Sequence, residues 1–141
     1  MRKTAITQRD FSLLLQLLDR RCESLEYLKD RYFGGVRKTA INRLRRLELA
    51  GYLQRHEIHS IESPDRWQHV YTLGPAARAA VRHRDEFAYE DLRGRRFAVT
   101  LPETSMPHQI ATNRVGDWLG AHLIPEHLIA AIATKRVCRP A

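Results

Sequence analysis

Only two cysteines occur in the 141 residues, Cys22 and Cys138, far apart and in no CxxC pair. That argues against a disulfide framework and suits a reducing, cytoplasmic setting. Long apolar runs are missing as well. The most generous is Leu128–Ala133, far short of the ~20 residues that cross a bilayer. The basic start Met1-Arg2-Lys3-Thr4-Ala5 lacks a following apolar core and cleavage site, so no secretory signal is expected. There is no GxSxG, no P-loop and no Cys–His pairing in a recognisable context. Glu86, Glu90 and Asp91 cluster in a charged stretch where carboxylates are ordinarily solvated, so no enzyme and no catalytic residue is expected. The seven histidines form no HxxxH pair, and His122 and His127 are separated by Pro125. His56, His59 and His69 converge only if a hairpin pairs them suitably, so neither a metal nor another cofactor is expected.

What is present is charge of one sign. Lys and Arg number 24 against 16 Asp and Glu, a formal net charge of +8 and a pI near 10.1. With 43% hydrophobic and 28% charged residues, the composition is that of a globular domain rather than a disordered tail. A protein this basic usually meets a polyanion, most often nucleic acid. The excess is nearly all arginine, whose fork suits phosphates and guanine edges.

Hydrophobic periodicity sets out the elements. After a basic arm over 1–6, Thr7 reads as an N-cap with Asp10 three residues on. Phe11, Leu14, Leu15, Leu18 and Cys22 recur at helical spacing, predicting a helix over 8–22. Ser24 caps a second helix bearing Leu25, Leu28 and Tyr32, and Phe33-Gly34-Gly35 ends it. A third helix spans 36–50, with Ala40, Ile41, Leu44 and Leu47 on one stripe and Thr39, Asn42, Arg43 and Arg46 opposite. From Leu53 the period falls towards two. Ser63-Pro64-Asp65-Arg66 marks a turn, and 68–73 reads as the returning strand of a hairpin. Pro75 opens a short helix over 76–81. Residues 85–104 read as a connector, with a short strand expected at 97–101. Two further helices follow, over 108–124 and from Pro125 to about Ala133, and then a basic tail.

The expected fold class is therefore mainly α with a small β-hairpin: a winged helix-turn-helix over 1–84, a connector over 85–104, and a C-terminal helical segment over 105–141. Between residues 31 and 58 there are seven Lys/Arg against two acids, a net of +5, so most of the excess sits on the groove-reading unit. A merely solvated basic face is the plain alternative. The residues expected to meet double-stranded DNA are Thr39, Asn42, Arg43 and Arg46 at bases, with Arg37, Lys38, Arg55 and Arg66 at phosphates. His56, His59 and His69 are also available on the hairpin. Trp118, Leu119, Leu123, Leu128 and Ile132 supply more apolar surface than a small winged helix needs, and are expected to make a homodimer. The competing class is a protein–protein adaptor that uses the same platform without specific DNA binding.

The stretch Thr39–Leu53, followed by Val70-Tyr71-Thr72-Leu73-Gly74-Pro75-Ala76-Ala77, looks like bacterial winged-helix regulators. More narrowly, it resembles the replication-relaxation family of plasmid and mobile-element proteins. The family's opening T-x-R-D is matched by Thr7-Gln8-Arg9-Asp10, and a post-wing helix by His108–Val115. The resemblance covers about two thirds of the chain. It implies DNA binding connected with transcription control, plasmid replication or mobilisation, with replication or mobilisation proteins as further partners. Longer relatives continue into another domain.

Overall fold

Thr7 begins the first helix as its side chain predicts. Its Oγ1 accepts the Asp10 N–H at 3.2 Å, and the Asp10 carboxylate accepts the Thr7 N–H at 2.9 Å, closing a capping box ahead of α1 (Gln8–Arg20). The computed structural model describes residues 5–60, 63, 65–82 and 101–122. Arg21 ends α1 with a φ of 74°, and a two-residue strand, β1 (Glu23–Ser24), follows. The Ser24 hydroxyl accepts the Tyr27 N–H at 3.2 Å and so caps α2 (Leu25–Tyr32). Gly34 and Gly35 take φ values of 60° and 80°, which a side chain would resist, and turn the chain into α3 (Arg37–Leu49). After Gly51 come β2 (Leu53–His59), β3 (Trp67–Leu73) and α4 (Ala77–Arg82). A single 3-10 turn at Glu103–Ser105 leads into α5 (Met106–His122).

The three strands form one antiparallel sheet in the order β1-β3-β2. Leu53 pairs with Leu73, Arg55 with Tyr71, Glu57 with His69 and His59 with Trp67. One face, at its Leu53–Tyr71 end, packs on the main core with Leu13, Leu14 and Leu17 of α1, Leu25 and Leu28 of α2, and Ala40, Leu44 and Leu47 of α3. Burying a leucine of this kind stabilises by about 1.5–3 kcal/mol. The other face carries Ile58 and Val70, covered by Cys22, Leu101, Met106 and Ile110. Phe11 and Val81 join α1 to α4. The chain is thus mainly helical with one small antiparallel sheet, as its periodicity predicts.

Several details differ from the sequence reading. β1 has no sequence signal, because two residues carry no period. Cys22 lies beyond α1 and packs on the opposite side of the sheet. Ile41, expected in the core, is 38% exposed. His56, expected to be available on the hairpin, is buried: its Nε2 lies 3.0 Å from Thr72 Oγ1 and its Nδ1 3.1 Å from the Glu103 carboxylate. Leu101 is therefore part of a packed layer, Glu103 reaches His56 from an exposed position, and Leu101 lies in no strand. The chain divides into two compact units, Met1–Ile110 and Ala111–Ala141, so α5 contributes its first turns to the first unit and the rest to the second. Residues 1–4, 85–100 and the region from Leu123 onward, with the expected dimer residues Leu123, Leu128 and Ile132, lie outside the described residues.

Candidate nucleic-acid interface

α3 has one fully buried edge, Ala40, Leu44 and Leu47, so most of its remaining surface faces outward. Lys38, Thr39, Asn42, Arg45 and Arg46 are all exposed. None of the three cations makes an ion pair with another described residue. Ile41 and Leu49 are exposed beside them. Arg45 was not among the residues singled out from sequence, although it stands next to Arg46. At 3.6 residues per turn it lies about 140° from Ala40, well out of the core.

Arg43 is placed differently from its expected base-reading role. Its Nε donates to Asp10 Oδ1 at 3.1 Å, its Nη2 donates to Asp10 Oδ2, and the same Nη2 donates to the Ala5 carbonyl at 2.7 Å. Its side chain is 16% exposed and that of Asp10 is fully buried. Burial alone would raise the Asp10 pKa. The hydrogen bonds from Arg43 and from Thr7 outweigh it and hold the carboxyl below its ordinary value. Arg43 therefore braces α3 against the start of α1. Arg9 lies over the Phe33 ring at 4.5 Å, just before the Gly34-Gly35 turn. Thr7, Arg9 and Asp10 thus all hold the helical unit together.

α2 is oriented by a second polar set. Gln16 donates to the Tyr27 hydroxyl at 2.7 Å, and the Tyr32 hydroxyl donates to Gln16 Oε1. Burial, above all, pushes the Tyr32 phenol up to about 12. Arg20 pairs with the fully buried Glu23 at 2.6 Å and lies over the Tyr27 ring.

The remaining expected contacts sit around the helix. Arg37 is exposed and paired with Glu26 at 2.7 Å. Lys29 also reaches Glu26, at 2.8 Å; its hydrogen bond and the Arg37 charge hold the Glu26 carboxyl below its ordinary range. Arg55 lies between Glu48 at 3.6 Å and Glu57 at 3.9 Å. Exposed pairs of this kind are worth about 0–1 kcal/mol, so a phosphate can take either arginine over. Arg66 is exposed at the hairpin end, where Ser60 N–H donates to its carbonyl at 2.8 Å. Next to it Trp67 is 62% exposed and lies against His59 in a tilted ring contact, with centroids 3.9 Å apart. The sequence places Trp67 at the hairpin tip beside Arg66, but only Arg66 is expected there as a contact. A groove of about 460 Å³ runs between the hairpin end and the starts of α2 and α3.

In the second unit, Val115 and Trp118 are exposed on α5, Leu119 is half-buried, and the Trp118 and His122 rings stack at 5.2 Å. Among the described residues no group of three His, Cys, Asp or Glu side chains is placed to hold a metal, and no helix is long and apolar enough to cross a membrane. Compared with known proteins, the chain matches no family model, no curated protein and no solved structure.

Proposed function

We propose that Met1–Ile110 is a winged helix-turn-helix that binds double-stranded DNA with sequence preference, α3 entering the major groove and the β2–β3 hairpin serving as the wing. The observation that carries this reading is the outward face of α3. Lys38, Arg45 and Arg46 stand there without ion-pair partners among the described residues, beside Asn42 and Thr39, on a helix fixed from behind by a fully buried edge. Arginine forks and an asparagine amide are the side chains that read guanine and adenine edges. Arg37, Lys38, Arg55 and Arg66 then hold phosphates, and Arg43 supports the helix instead of touching bases.

The biological output of such a protein is transcription control, or an accessory role in plasmid replication or mobilisation, carried out in the cytoplasm without catalysis. A homodimer made through the C-terminal segment is part of the same proposal. The test is fluorescence anisotropy on the duplex upstream of the protein's own gene and on a scrambled duplex, up to about 200 mM salt, where phosphate-only binding weakens steeply. The native duplex is expected to stay preferred at the higher salt. Equal binding that collapses with salt sinks the reading and favours the adaptor.

A further inference from the structure

The groove beside α3 combines features that the open helix face lacks. Arg37, the first residue of α3, lines it from the helical side, and Arg66 and Trp67 line it from the hairpin side. Trp67 is paired in register with His59 across the hairpin, so one ring face is covered by the imidazole and much of the remaining surface stays open. An open aromatic ring in a groove that two guanidinium groups also line suits a sugar-phosphate strand. The forks grip phosphate oxygens, and the ring packs on a sugar or base without regard to sequence. Through Arg37 the groove lies at the start of α3, the helix that carries the exposed Lys38, Arg45 and Arg46. The acid lining the groove is Glu26, which pairs with Arg37 at 2.7 Å.

We propose that this groove seats one strand of the DNA backbone, Arg37 and Arg66 holding phosphates from its two sides while Trp67 packs against an exposed sugar or base. The inference rests on the duplex-binding reading above. Glu26 is then a resident counter-charge: it keeps Arg37 aimed along the groove before DNA arrives and is displaced from it on binding.

The two tryptophans of the chain, Trp67 and Trp118, make the proposal readable in solution. A labelled duplex is titrated while anisotropy and intrinsic fluorescence are followed in the same samples, for the wild type, Trp67→Phe, Glu26→Gln, Arg37→Ala and Arg66→Ala. Circular dichroism checks that each variant is folded. DNA is expected to quench the wild type, and the quench is expected to disappear in Trp67→Phe while binding persists. Each arginine variant is expected to lower the slope of log K against log salt by about one. Glu26→Gln is expected to bind several-fold tighter. Saturating anisotropy with equal quenching in the wild type and Trp67→Phe, or salt slopes unchanged in both arginine variants, overturns the groove assignment and leaves the α3 reading standing. No binding of any duplex by the wild type overturns both.

Discussion

The buried Asp10 carboxylate joins two elements at once: it closes the capping box of α1 with Thr7 and receives two hydrogen bonds from Arg43 in the middle of α3. Removing Arg43 leaves an uncompensated charge in a site without solvent. Arg43→Ala is therefore expected to cost about 3 kcal/mol, the low end for breaking a buried pair. Arg43→Lys should recover only part of this, since an ammonium cannot repeat the two-pronged geometry. Urea unfolding measures both. A loss below about 0.5 kcal/mol in Arg43→Ala would show that the pair does not brace the fold.

The same pair sets a pH dependence. The folded Asp10 pKa lies below its ordinary value of 3.8, so the contribution is fully present above that value. It is lost as the pH falls through the lower, folded value. Asp10→Asn should be less stable than the wild type at neutral pH by a constant amount, and the difference should shrink only below about pH 4. Stability curves of both proteins from pH 7 to pH 2 test this; a difference that begins to close near pH 6 contradicts it.

On the exposed face of α3 the expectation is reversed. Arg45→Ala and Arg46→Ala remove no internal partner, so unfolding free energy should move by no more than about 0.5 kcal/mol. If each grips a base edge, affinity for the preferred duplex should fall about tenfold per substitution. Affinity for scrambled duplex should change much less. A variant that loses stability and binding together would mean that its arginine is structural, as Arg43 is.

The contrast between Arg43 and Arg45 shows what the sequence makes legible. Helix starts and stops were readable because Thr7, Ser24 and the Gly34-Gly35 turn act locally, through hydrogen bonds and φ values within a few residues. Which flank of α3 is covered depends instead on α1, 33 positions earlier at Asp10, and helical periodicity has no term for that. The capping acid was visible, but not its second bond. Likewise His56 alternates with Ile58 on one face of β2, yet only the packing of Leu101, Met106 and Ile110 reveals that this face is covered. Trp67 is legible as a residue of the hairpin tip, but its exposure cannot be read from strand pattern, so the sequence assigns it no contact.

Gly74 marks a place where two backbones touch. Its N–H donates to the Tyr52 carbonyl at 2.8 Å, and a Cβ built on it would run into the Gly51 carbonyl, 2.9 Å from its carbon and 3.0 Å from Leu53 N. Backbone atoms on both sides cannot rotate away as a flexible side chain would. Gly74→Ala is expected to destabilise by about 1–3 kcal/mol through overpacking where the end of the sheet meets the turn after α3. Gly116→Ala, whose Cβ would meet nothing within 4 Å, should leave the melting temperature the same or slightly higher. Thermal melts of the pair decide it, and equal behaviour would mean that the Gly51–Gly74 approach relaxes without cost.

The proposed dimer has its own test in the second unit. Val115 and Trp118 stand three residues apart on α5, 57% and 52% exposed, and so share one side of that helix. If a second copy covers them, the wild type should run as a dimer at micromolar concentration in light scattering coupled to size exclusion. Trp118→Asp, which places a charge where an apolar contact is needed, should then run as a monomer. Its unfolding is expected to lose the concentration dependence that a dimer shows. On DNA, a dimer reads two half-sites in inverted repeat, about one helical turn apart, so Trp118→Asp should bind single half-sites and lose the steepness of the full-site titration. A monomeric wild type with a single-site isotherm would remove the dimer from the proposal and leave the contacts of α3 unaffected.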